Sequence, residues 1–282
     1  NKKSQFDTVE KAEILQPLSV FPGENLSAEQ IVAKLSFPLF VKPLYLFPWE
    51  KYFSVKGYLT HNLRELGNVL ASARNHHLDV MVQETIVGDD YRHFECSFFI
   101  DETGAIRGKT TIQKLRQYPL HFGLASYIRT VNHPVVEAEA TKLVQRLGII
   151  GFANIEFKID KRDEKPKYIE TNIRVWQQIG LGAKSGVQFV LLYYCNLTGQ
   201  KIPEIHETHI GATWIDPITD FYSFTSQQGF KLSKLFRWFL QLRRANDHSV
   251  ISWRDPIPTL NRLQYGLTII KLFKFAIQKA FR

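Results

Sequence analysis

The chain has 282 residues, is 44% hydrophobic and 22% charged, and carries five Trp and 21 Phe, a globular composition with enough apolar mass for one large or two modest cores. Its two cysteines, Cys96 and Cys195, are too few and too far apart for a disulfide framework or a cysteine zinc site, so a reducing cytoplasm is the expected setting. The net charge of +9 lies entirely in residues 229–282, which hold eleven Lys or Arg against Asp247 and Asp255; the preceding 228 residues are neutral.

In chain order, "TVEKAEILQP" has helical spacing, and "FPLFVKP" from Phe37 is a short buried strand closed by Pro43. "HNLRELGNVLASARNHH" predicts a second helix, and "LDVMVQETIVGDD" a strand leaving through a Gly-Asp-Asp turn. "YRHFECSFFIDETGAIRGKTTIQKL" reads as two strands about a turn at Asp101–Gly104. "HPVVEAEATKLVQRLG" is a helix with Gly148 placed to cap it. Hairpins mixed with helices, without regular βαβ units, predict an α+β fold, and the helix-rich region after Tyr222 an appended element.

"GFANIEFKIDKRDEKPKYIETNIR" is the most legible hairpin, its turn "KRDEKP" charged and containing Pro166. A uniform register opposes Glu156 to Glu170, Asn154 to Asn172, Ile155 to Thr171, Phe157 to Ile169, and Ile159 to Lys167. Side chains on a strand alternate faces, so Glu170, Asn172 and Arg174 share one side. A solvated strand face explains such a row equally well when it is taken alone. Two carboxylates directly opposite each other repel, however, and a divalent cation between them reverses the sign of that interaction. Two carboxylates and an amide oxygen are the hard, all-oxygen donors that magnesium favours. Arg174, on the same face, is placed to grip phosphoryl oxygens or stabilise charge during transfer.

No GxxxxGK[ST] motif is present, so a P-loop is not expected. "GLGAKSG" at Gly180–Gly186 follows no convincing strand and reads as a turn into a helix. Lys42 ends an apolar strand, where an ammonium is expensive to bury; contact with an anionic ligand is the preferred reading over a chain reaching out to solvent. Lys56 and Gly57 lie in a small loop able to fold over phosphates.

Four ordered segments, "FPLFVKP", "VMVQETIVGDD", "QKLRQYPLHFG" and "GFANIEFKIDKRDEKPKYIETNIRVWQQIGLGAKSGV", together resemble the ATP-grasp superfamily over roughly residues 1–200. The resemblance is to its carboxylate–amine ligase branch, including D-aspartate ligase and carbamoyl-phosphate-synthase-like members. It implies two α+β subdomains gripping ATP, and the residues beyond read as a basic helical C-terminal extension. The corresponding divisions are a lead-in at 1–18, a small lid subdomain at 19–82, a large subdomain with the metal hairpin at 83–205, and the extension at 206–282. By the same resemblance Lys42 contacts ATP phosphate, and Gln83, Glu84, Thr85 and Ile86 form the hinge that receives adenine. Asp90 then falls at the ribose. Glu156, Glu170 and Asn172 are the implied ligands of Mg2+, two ions per site, with Mn2+ as a substitute. Arg174 and Arg116 are the implied catalytic arginines near the γ-phosphate and acyl phosphate, with Lys114 a further phosphate contact. Members usually carry another N-terminal α/β domain that helps bind the carboxylate. The expectation is that this chain is a fragment, that a partner supplies that wall, or that the substrate is held differently. Ile173 stands where the family often has proline.

The implied reaction is ATP-dependent activation of a carboxylate as an acyl phosphate, displaced by an amine to give an amide with ADP and phosphate released. The alternatives are a phosphotransferase on the same fold and a catalytically silent nucleotide-binding module docking through its basic tail. Expected partners are a small carboxylate and an amine, with no nucleic acid. In the tail, "KLSKLFRWFLQLRRAND" and "TLNRLQYGLTIIKLFKFAIQKAFR" interleave Leu, Ile and Phe with Lys and Arg. The preferred reading is helices packed on their own core with a solvated basic face; peripheral contact with an anionic membrane is the alternative.

Overall fold

In the computed structural model the described residues are 2–22, 26–53, 55–120, 122–205, 208–228, 232–250 and 255–261. They form two compact units, residues 1–106 with 133–174, and residues 107–132 with 175–282.

The first unit opens with α1 (Lys2–Lys11), β1 (Ser19–Val20) and α2 (Ala28–Val32), the last closed by a capping box in which Ser27 and Gln30 exchange bonds. β2 (Leu39–Pro43), α3 (Leu46–Glu50), β3 (Tyr58–Thr60), α4 (Leu63–Asn75) and β4 (Val80–Glu84) follow. The strands form a four-stranded sheet in the order β1-β4-β2-β3. Asn62 caps α4, and Leu66, Leu70 and Ala73 recur on its buried side at helical spacing. Leu66 and Leu70 pack with Val20, Ile31, Leu35, Leu39, Val41 and Val82 into one core. Gly57 is required by close approach: a Cβ there would lie 2.5 Å from the carbonyl oxygen of Val41.

β5 (His93–Ile100) comes next, and β6 (Ile106–Tyr118) and β7 (Leu124–Thr130) belong to the second unit. The chain returns to the first unit with α5 (Pro134–Leu147), β8 (Gly151–Ile159) and β9 (Pro166–Asn172). Gly148 ends α5 at φ +59°, the left-handed cap its position predicts. β8 lies antiparallel to both β5 and β9.

The second unit continues through α6 (Gly180–Lys184), α7 (Phe189–Thr198), β10 (Thr213–Ile215), α8 (Pro217–Gln228), α9 (Leu232–Arg244) and β11 (Asp247–His248). Its strands run β6-β7-β10-β11, with only the last pair parallel. Ile112, Ala125, Ile128, Leu181, Ala212 and Trp214 form its core. The stretch Gly180–Gly186, expected as a turn into a helix, is helical over α6. Gly182 serves packing, since a Cβ there would meet Phe189 and the Val187 carbonyl at 2.6 and 2.7 Å. The described part of the region after Tyr222 is largely helical, in α8 and α9, and β11 additionally ties it back beside β10. Trp214 is buried on β10, and Asp216 Oδ1 accepts the Ile218 and Thr219 amides at the start of α8. Of the predicted terminal helix, residues 262–282 lie outside the described residues, as does Trp253. No helix among the described residues is long and apolar enough to cross a membrane.

A carboxylate row as the candidate active site

The β8–β9 hairpin has the expected register at its open end: Asn154 opposes Asn172, Ile155 opposes Thr171, and Glu156 opposes Glu170. Beyond that point the expected register is wrong by one residue. Phe157 faces Tyr168, Lys158 faces Lys167, and Ile159 faces Pro166, because the ladder shifts between Glu156 and Phe157 and Ile169 becomes the extra residue of a bulge. The physical reason is that the fully buried side chain here is Tyr168. Its ring packs edge-on against Phe6 and Phe157, its hydroxyl meets Thr171 Oγ1 at 3.0 Å, and its amide donates to Leu15. Burial pushes the Tyr168 phenol well up.

The turn is organised by the buried Asp160, which accepts from the Arg162 amide at 3.0 Å and from Lys167 Nζ at 2.7 Å. Burial alone would raise its pKa, but the bonds from Arg162 and Lys167 outweigh it and hold this carboxyl well below the usual range. The same turn reaches the segment leaving β4: the Lys161 amide donates to the Val87 carbonyl at 2.8 Å, and Arg162 Nη2 donates to the Thr85 carbonyl at 3.3 Å.

β5 extends the acidic pair into a row of three. Glu95 opposes Glu156, as Ser97 opposes Asn154 and His93 opposes Lys158. Direct partners in antiparallel strands share a face. That face therefore carries Glu95, Glu156 and Glu170 in one line, with Ser97, Asn154 and Asn172 beside it. Asn172 Nδ2 donates to Glu156 Oε1 at 3.3 Å and Glu170 Oε1 at 2.9 Å. Asn154 Nδ2 donates to Glu95 Oε2 at 3.0 Å and Ser97 Oγ at 3.2 Å, leaving Asn154 Oδ1 a buried acceptor with no donor. His93 Nε2 lies 2.8 Å from Glu156 Oε2, and His93, Glu95 and Glu156 each offer a ligand atom within 4.8 Å of the others. On the neighbouring row, burial lowers the Lys158 pKa, opposed by the nearby Asp90 and Asp89.

Several clustered carboxylates with an orphaned amide oxygen fit a hard divalent cation in donor type. Sequence reasoning missed Glu95 and His93. The signal was there: "HFECS" places His93, Glu95 and Ser97 at alternate positions of a strand whose other residues are apolar.

Within the same unit Lys42 Nζ donates to Gln83 Oε1 at 3.0 Å, and Gln83 Nε2 donates to Ser19 Oγ at 3.0 Å. Lys42 also lies over the Phe6 ring at 5.6 Å, and Phe6 packs on Tyr168 of β9. Through α1, whose Gln5 donates to the Thr171 carbonyl at 2.9 Å, the small sheet's lysine is tied to the hairpin. The Glu84 amide donates to Leu18 and the Thr85 amide to Pro38, which fixes the path of the strand exit; Ile86 is buried. Glu84 Oε1 accepts from the Ser36 amide at 2.8 Å. Asp90 is buried and starts a single 3-10 turn, Asp90–Arg92, that leads into His93. Arg174 is exposed just past the end of β9.

Two predicted site residues belong to the second unit. Lys114 is buried on β6. Arg116, also buried there, makes a bidentate pair with Asp220, Nε to Oδ1 at 2.8 Å and Nη2 to Oδ2 at 2.7 Å. Its guanidinium stacks over Tyr127 at 4.5 Å, and Ser126 and Trp238 complete the Asp220 carboxylate at 3.0 and 2.8 Å. This arginine is part of a balanced internal pair.

No family model matches the sequence. The structure is similar to N5-carboxyaminoimidazole synthetase from Staphylococcus aureus complexed with ADP, at TM-score 0.61 and 13% identity, covering 81% of this chain and 58% of that one. It is also similar to biotin carboxylase from Campylobacter jejuni (TM-score 0.58, 14% identity, 73% and 48% covered). A third match is phosphoribosylglycinamide synthetase from Anaerococcus prevotii (TM-score 0.53, 14% identity, 76% and 53% covered). The chain thus spans about half to three fifths of the length of these proteins. The small antiparallel sheet, the β8–β9 hairpin and these similarities give one conclusion: the chain has the ATP-grasp fold.

Proposed function

We propose that the protein is an ATP- and magnesium-dependent ligase that activates a carboxylate as an acyl phosphate and passes it to an amine. The observation that carries this reading is the line of Glu95, Glu156 and Glu170 on adjacent strands, bridged at one end by the Asn172 amide. Carboxylate oxygens aligned on three neighbouring strands are a hard donor set that suits a divalent cation.

Glu156, Glu170 and Asn172 would hold magnesium, with Glu95 and His93 adjoining. Bound magnesium supplies neutralisation of the β- and γ-phosphate charge. Lys42 would contact phosphate oxygens from the small sheet, with Gln83 orienting its ammonium, and Arg174 would face the transferring phosphoryl group. Glu84, Thr85 and Ile86 would receive the adenine at the strand exit, and Asp90 the ribose. A carboxylate oxygen attacks the γ-phosphorus in line, and the bond to ADP breaks. The amine nitrogen then attacks the acyl carbon, phosphate leaves with the C–O bonding pair, and the nitrogen loses a proton. This route uses no protein nucleophile, in keeping with the sequence, where no GxSxG is present. Arg116 has no part in it, because its guanidinium is committed to Asp220.

The test is incubation of the full chain with ATP and magnesium against a panel of carboxylic acids and amines, following ADP, phosphate and product mass together. An amide formed with one ADP per bond is the expected result. AMP and pyrophosphate would overturn the acyl-phosphate route, and ADP with a stable phosphorylated product would replace the ligase with a phosphotransferase.

A further inference from the structure

The basic helix α9 has two dissimilar faces. Its inner face is fixed: Trp238 Nε1 donates to Asp220 Oδ2 at 2.8 Å, its ring meets Phe221 edge-on at 5.4 Å, and Gln241 Oε1 accepts from Arg116 Nη2 at 3.1 Å. At helical spacing the opposite face then carries Phe236, Phe239 and Arg243 close together, with Arg237 and Arg244 on the flank. Phe236 is 65% exposed and Phe239 is 50% exposed, and the three arginines are exposed around them. α9 contains no acid, and residues 229–282 hold eleven basic residues against two acidic ones.

From this we infer that the outer face of α9 docks on an anionic phospholipid surface. Aromatic side chains projecting between arginines enter the boundary between headgroups and acyl chains, while the guanidinium groups pair with lipid phosphates. Pairing with a second copy through this face would bring six arginines together without an acid to offset them. A nucleic acid would engage the arginines while leaving the phenylalanines partly in water. The tail sequence continues the same chemistry, with five basic residues and no acid among residues 259–282. Solvated basic residues and an internally packed helix are both correct descriptions of α9, each of a different face. This inference does not depend on the ligase reading.

The experiment is co-sedimentation of the full chain with phosphatidylcholine vesicles, with and without phosphatidylserine, at low and high salt. Binding is expected only with phosphatidylserine, and is expected to weaken with salt. Phe236→Ser with Phe239→Ser, and separately Arg237→Gln with Arg243→Gln and Arg244→Gln, should each lower the partition constant about tenfold or more. Thermal melts of the variants check that the fold is kept; all five side chains are exposed. The inference is overturned by absence of phosphatidylserine-dependent binding, or by binding that neither variant weakens in a folded protein. Retention on duplex DNA or RNA but not on vesicles would overturn it in favour of nucleic acid.

Discussion

Two acidic centres of this molecule are built on different principles. In the second unit, Asp220 meets a guanidinium in bidentate geometry and accepts further bonds from Ser126 and Trp238. In the first unit, Glu95, Glu156 and Glu170 stand against one another across three strands. A carboxylate held in a bidentate ion pair fixes a fold in a defined arrangement, whereas the glutamate row is, on the function proposed above, also the place of a metal ion.

Removing the counter-charge should give the largest effect. Asp220→Ala leaves Arg116 buried without its anion, and should cost about 3–5 kcal/mol in urea unfolding followed by tryptophan fluorescence. A loss below about 1 kcal/mol would mean that the pair is not a structural keystone. The next test acts on the other centre with the opposite sign. Glu156→Gln should weaken magnesium-dependent nucleotide binding by about 100-fold, measured by titration with and without the metal. Its stability should stay level or rise by about 0.2–1 kcal/mol, because a like-charge contact is relieved. Parallel losses of stability and binding would erase the distinction between the centres.

Asp160 sharpens the comparison on a smaller scale, as an acid held by Arg162 and Lys167 within the unit that carries the glutamate row. Its folded-state pKa is depressed, so at low pH the unfolded chain binds the extra proton and stability rises with pH. The contribution is complete above the ordinary carboxylate value of 3.8 and is lost as pH falls below it. It should amount to on the order of 2 kcal/mol. Asp160→Asn should flatten that part of the acid-unfolding curve; an unchanged slope would show that Arg162 and Lys167 do not hold the carboxylate.

Much of the candidate site was legible because strand periodicity is strict. Glu156, Glu170 and Asn172 share a face whatever surrounds them, and Lys42 in an apolar strand had to meet something polar; in the structure it meets Gln83. Arg116 was expected near the transferring phosphoryl group, and in the structure its guanidinium pairs with Asp220. A basic residue on a strand looks the same in sequence whether it faces a ligand or an aspartate 104 residues away. Glu95 was overlooked although "HFECS" alternates polar with apolar residues, because that pattern also fits an ordinary strand with one solvated face; in the structure the strand is buried along its whole length.

The sequence by itself determined the α+β class, the hairpin, the cap at Gly148, and the basic character of the tail. These are local: they depend on side-chain period, backbone freedom and charge count. Tertiary structure decided the bulge at Ile169, the third glutamate in the row, the partner of Arg116 and the two faces of α9. Each of those turns on which distant side chain occupies the adjacent space, and no period of two or 3.6 residues encodes that.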